Sequence, residues 1–161
     1  VVVGRASDGL GSDRGELVVV TSAGGVLLEV LSLAREWRGG CRFVAADAVD
    51  TREELRGETV LFRTECPAIP IPLGRELWRA LADLASRRPA LLVSAGTGLA
   101  VPWFVAAWLL RVPLVWVETL NIVGENGLAA KVCSRLASVV AVQRGDRVGA
   151  HRRAVLVGDL Y

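Results

Sequence analysis

The sequence predicts an α/β domain of Rossmann-like type, a mainly parallel sheet with helices on both faces. Three observations carry this reading: short β-branched runs alternate with segments of helical period, two of those runs end in glycine-rich turns, and each such turn opens a helix. Alternation of strand and helix favours right-handed crossovers between parallel strands.

Taken in order, Leu17 to Thr21 is a β-branched run bounded by turn formers and reads as the first strand. Val26 to Trp37 carries Leu27, Leu28, Leu31 and Ala34 at helical spacing, and Gly39-Gly40 closes that helix. Cys41 to Ala46 is a second strand, Asp47 to Glu58 a loop with a short helix, and Thr59 to Arg63 a third strand. In Pro67-Ala68-Ile69-Pro70-Ile71-Pro72 three prolines withdraw three backbone donors, so the segment is expected to be an extended connector and not helix. From Leu73 to Ser86 the residues Leu77, Trp78, Leu81 and Leu84 recur at helical spacing. Ala90 to Val93 is a fourth strand, followed by the turn Ser94-Ala95-Gly96-Thr97-Gly98 and an apolar helix to about Leu110. Pro113 to Val117 forms a fifth strand ending in Glu118, Thr119 to Asn126 a loop, and Gly127 to Leu136 a helix. Ser138 to Val142 and Ala154 to Val157 complete the strands.

A chain of 161 residues fits one domain. Residues 1–15, polar and glycine-rich after the opening valines, are expected to be a disordered lead-in, with 16–161 as a single Rossmann-like domain. Hydrophobic residues make up 52% and mean hydropathy is +0.43, an apolar surplus that points to a partner protein or a membrane face. Net charge is only +2, and Lys131 is the lone lysine, a balance that argues against a generic nucleic-acid binder. Cys41, Cys66 and Cys133 lack any C-x-x-C spacing and read as reduced thiols of a cytoplasmic protein, with no metal site expected. The longest apolar stretch, Leu99 to Val117, contains Pro102, Arg111 and Pro113 and is a poor membrane-spanning helix.

Open parallel sheets collect ligands beyond the carboxyl ends of their strands, which singles out Thr21 to Gly25, Ser94 to Gly98 and Glu118 to Asn126. Gly24-Gly25 lets the backbone approach a ligand where the following helix presents free N–H groups, a setting suited to phosphate, although paired glycines also simply make tight turns. The second turn is of the same kind, with Ser94 or Thr97 placed to cap the next helix. Glu118 closes an apolar strand and is a candidate general base or sugar-hydroxyl acceptor with a hydroxyl or backbone partner; a carboxylate that caps a neighbouring helix is the alternative. His151, the only histidine, sits among Arg144, Arg147, Arg152 and Arg153, a charge run read as solvated surface, or else as a contact for an anionic partner such as a membrane headgroup. Trp103 and Trp108 read as core, or as interfacial tryptophans at a bilayer.

The run Val20-Thr21-Ser22-Ala23-Gly24-Gly25-Val26-Leu27-Leu28-Glu29, then Ser94-Ala95-Gly96-Thr97-Gly98-Leu99-Ala100-Val101-Pro102, then Val117-Glu118, Val142-Gln143 and Val157-Gly158-Asp159-Leu160-Tyr161, resembles the Alg-fourteen-like or PssD polysaccharide-biosynthesis family. The resemblance spans about Leu17 to Tyr161 and rests on the order and spacing of these motifs together. It implies the N-terminal, acceptor-side half of a two-subunit GT-B glycosyltransferase. Such a half serves capsule or exopolysaccharide assembly: it recruits a donor-binding partner subunit to the cytoplasmic membrane face and meets a polyprenyl-diphosphate-linked acceptor. A UDP-sugar is then the donor substrate, bound mainly by the partner, with no cofactor and no metal. The implied substrate and phosphate contacts are Ser22, Gly24, Gly25, Glu29, Ser94, Gly96, Thr97 and Gly98, with Glu118 catalytic. Val26 departs from the family's pattern, which places a histidine directly after the paired glycines. Two further readings stay open: a non-catalytic scaffold that anchors the partner subunit, and a small nicotinamide-dependent oxidoreductase resting on the glycine turns.

Overall fold

The computed structural model describes residues 15–37, 40–64, 70–118 and 127–158. The expected lead-in apart from its last residue, Gly39, Cys66, Pro67 to Ile69, the loop Thr119 to Asn126 and the final Asp159-Leu160-Tyr161 lie outside the described residues.

In chain order the elements are β1 (Leu17–Thr21), α1 (Gly25–Arg35), β2 (Cys41–Ala46), α2 (Val49–Glu54), β3 (Thr59–Arg63), α3 (Pro70–Ser86), β4 (Leu91–Ser94), α4 (Ala100–Leu109), β5 (Leu114–Glu118), α5 (Leu128–Leu136), β6 (Val139–Val142), a 3₁₀ segment (Gly145–Ala150) and β7 (Ala154–Leu156). The strands pair in the order β3-β2-β1-β4-β5-β6-β7, and every pairing is parallel. The winding direction reverses between β1 and β4. Because a right-handed crossover places its helix according to the direction of travel, reversal sends α1 to one face and α4 and α5 to the other.

Two cores result, one on each side of the sheet. On the first, Val18, Val20, Leu92, Trp116 and Val140 meet Leu84 of α3, Trp103 and Phe104 of α4, and Cys133 of α5. Phe104 and Trp116 meet edge to face with ring centroids 5.7 Å apart. On the second, Val19, Phe43, Val93 and Val117 pack under Leu27, Val30 and Leu31 of α1, with Leu55 after α2. Parallel strands need cover on both faces. Among the described residues that second face is covered over Val117 and Ala141 but opens toward its far edge, where Val139, Val155 and Val157 are exposed and an apolar depression of about 280 Å³ opens between Val30, Trp37, Val115, Val139 and Val157.

The predicted elements stand within a residue or two, with one correction. α3 begins at Pro70 and takes in Pro72, where the prolines predict extended chain. A helix's first turn has no use for its own N–H donors, so proline is tolerated there and pre-sets the helical φ. At the opposite edge of the sheet from the glycine turns, Arg42 of β2 is buried. Its Nε donates to Glu16 Oε2 at 3.1 Å and its Nη1 pairs with Asp83 of α3, tying that helix to the strand beneath it.

Candidate functional site

The reversal point places the two glycine corners side by side. Val20 and Ser94 are register partners at the carboxyl ends of β1 and β4, so the chain leaves both strands over the same edge. Gly24 has φ +78° and Gly96 φ +107°, and a Cβ on either would meet nothing within 4 Å. Glycine is needed at both for backbone conformation, and the space above each is open. The amide of Leu28 donates to the Gly24 carbonyl at 3.4 Å, which starts α1. In the second corner Thr97 Oγ1 accepts from the Leu99 amide at 3.2 Å, a contact that tightens the turn. The cap expected of Thr97 or Ser94 is absent, because α4 starts after Leu99 with no side-chain cap hydrogen bond.

The remaining sequence-predicted contacts divide by depth. Ser22 and Gly98 are partly or fully open to solvent, Gly25 is exposed at the first position of α1, and Ser94 is buried at the end of β4. The Ser94 hydroxyl finds no hydrogen-bond partner among the described residues. Glu29, one turn into α1, is buried under the helix.

Glu118, at the carboxyl end of β5, is 5% exposed. Sequence reasoning gives it a hydroxyl or backbone partner, and the structure corrects this. Its Oε1 accepts from Arg147 Nε at 2.5 Å, and its Oε2 lies 2.7 Å from His151 Nε2. Gln143, at the end of β6, reaches the Glu118 carbonyl through Nε2 at 3.5 Å. The basic run is therefore not a uniformly solvated surface. Arg144 pairs with Asp146 in solvent, whereas the 3₁₀ segment folds Arg147 and His151 back over the strand end, leaving the histidine side chain 10% exposed. An ionised Glu118 can only accept, so with it this contact requires the proton on His151 Nε2, and a neutral ring then presents its lone pair on Nδ1. Arg147 and His151 are the site residues that sequence reasoning misses; the available signal is a lone histidine in the connection leaving β6, the neighbour of β5.

The chain is 31% identical over 155 residues to the UDP-N-acetylglucosamine–N-acetylmuramyl-(pentapeptide) pyrophosphoryl-undecaprenol N-acetylglucosamine transferase of Chromohalobacter salexigens, a match covering 87% of this chain and 42% of the relative. It superimposes on the crystal structure of Acinetobacter baumannii MurG with a TM-score of 0.69 at 18% identity, over 81% of this chain and 42% of that one. The UDP-GlcNAc 2-epimerase of Methanocaldococcus jannaschii gives a TM-score of 0.69 at 13% identity, over 89% of this chain and 45% of that one. The chain shares its fold with part of each. No protein-family profile matches it. It spans about two-fifths of the length of its curated relative, and the expected α/β, Rossmann-like, parallel architecture is established by these superpositions and by the sheet itself.

Other chemistry is sparse among the described residues. No group of three or more potential metal ligands occurs, and no helix is long and apolar enough to cross a membrane. Cys133 is buried, and burial pushes its thiol up to about 12. Cys41 is half-buried, its thiol raised by burial first and then by Glu58 and Glu16. Trp103 is core, its Nε1 donating to Glu76 at 3.4 Å, whereas Trp108 is 55% exposed and Trp78 of the adjacent α3 is 74% exposed.

Proposed function

We propose that this chain forms the acceptor side of a GT-B glycosyltransferase, in which a donor-binding partner subunit supplies a UDP-sugar for transfer to a polyprenyl-diphosphate-linked saccharide during capsule or exopolysaccharide assembly. The observation that carries the reading is the Glu118–His151 pair at one strand end beside two open glycine corners at the neighbouring strand ends. A base and two backbone cradles on one sheet edge suit a hydroxyl nucleophile next to phosphate. The relative named above is a transferase for a pyrophosphoryl-undecaprenol substrate, which supports this substrate class.

Both Glu118 oxygens already have partners, so Glu118 acts as the orienting anion and His151 as the proton acceptor. The acceptor hydroxyl gives its proton to Nδ1 while its oxygen bonds to the anomeric carbon. The bond from that carbon to the diphosphate breaks, and UDP leaves with the electron pair. Glu118 stabilises the imidazolium formed. The exposed apolar edge at Val139, Val155 and Val157 favours a partner subunit, and Trp78, Trp108 and Leu109 on the packed pair α3 and α4 suit a peripheral seat on the membrane.

The experiment is reconstitution of the chain with a donor-binding half, UDP-sugars and membrane lipid. Transfer that depends on both chains is the expected result, and transfer undiminished without the partner rejects the two-subunit claim. The scaffold reading is favoured by Val26, an aliphatic residue on the first turn of α1 beside Gly24. Turnover that rises only when Val26→His is introduced supports the scaffold; robust turnover with Val26 in place supports the enzyme.

A further inference from the structure

A further concavity lies between α5 and the chain entering β7, reached by His151 from the Glu118 pair. It is a groove of about 710 Å³ lined by Lys131, Ser134, Arg135, Ala150, His151, Arg152 and Arg153. Four of these seven residues are cationic and none is acidic, while the whole chain carries a net charge of only +2. Arg153 spends a nitrogen on the Ala137 carbonyl at 2.9 Å, which fixes the groove wall, and Lys131, Arg135 and Arg152 are exposed at its rim.

An anion placed between cations of two elements gains a charge-assisted contact from each. Arginine forks match phosphate oxygens, and cations on two separate elements call for a ligand with more than one charged group. We infer that this groove is a binding site for a diphosphate-bearing ligand, held by Lys131, Arg135 and Arg152 next to His151. The groove shares His151 with the proposed transferase site and so rests on that reading for its ligand class, but its test reads binding alone, so that its failure and the failure of the transferase reading are distinguishable.

The test is calorimetric titration of the full chain with inorganic pyrophosphate at low salt, beside co-sedimentation with vesicles containing phosphatidylglycerol. The expected result is one pyrophosphate per chain, with affinity weakened at least tenfold in the Arg135→Gln/Arg152→Gln double variant and retained within a few-fold in Arg135→Lys/Arg152→Lys. Both side chains are exposed, and circular dichroism verifies that each variant folds. Pyrophosphate binding that survives the glutamine pair but is lost in Thr97→Ala puts the anion at the glycine corner and overturns the inference. Vesicle binding without any pyrophosphate binding overturns it as well, assigning the rim to lipid headgroups.

Discussion

Glu118 and His151 meet at 2.7 Å across 33 residues of chain, a contact made because the connection leaving β6 doubles back over the end of β5. Glu118→Gln and His151→Ala each lower transfer in the reconstituted system by about 10²–10⁴-fold. The double variant is little worse than either single one, since groups acting as a unit lose their effect together. Single-turnover assays of all three chains check both points. His151→Ala also leaves a buried carboxylate oxygen short of a partner and costs about 1–3 kcal/mol in urea unfolding.

The glycine corners predict a different signature. A Cβ at Gly24 or Gly96 has room, so alanine at either site costs backbone strain alone, about 1–3 kcal/mol. Asparagine tolerates the left-handed helical region, and Gly24 at φ +78° lies near it while Gly96 at +107° does not. Gly24→Asn is therefore milder than Gly24→Ala, whereas Gly96→Asn is as damaging as Gly96→Ala. Urea midpoints of the four variants decide this.

The strand ends and glycine turns are readable in the sequence because their causes are local: β-branched runs, φ preferences and helical period. Reversal of strand order and the exposed apolar edge at Val139 and Val155 are not local. Val139 and Val155 look like any buried strand residue, and only the strand order shows that they lie beyond the described helix on this face. Arg147 and His151 fail for the same reason. A basic run has one appearance whether it faces water or folds back, and here parallel pairing of β5, β6 and β7 decides it. The Pro70 start of α3 was the reverse case, a local rule applied one turn too far.

Cys133 makes stability fall at high pH. Its folded pKa of about 12 exceeds the ordinary value of 9.0, so the folded thiol stays protonated while the unfolded one ionises. The contribution is intact below pH 9 and declines by up to about 1.4 kcal/mol per pH unit above it until the folded thiol itself titrates. Cys133→Ala, though less stable at neutral pH, shows a shallower decline between pH 9 and 11 when unfolding is followed in urea.

Arg42 is the buried charge of the opposite edge, paired with Glu16 and Asp83. Arg42→Ala costs about 3 kcal/mol. Adding Asp83→Ala brings little further loss, because the pair is already broken. A double-mutant cycle in urea measures the coupling.

Chain order gives the Glu118–His151 contact a timing as well as a place. Synthesis at about 5–20 residues per second separates the emergence of residues 33 apart by roughly 2–7 s. During that interval the nascent sheet can assemble through β5 with its terminal carboxylate facing water, so the carboxylate–imidazole contact is finished only after the scaffold that holds it.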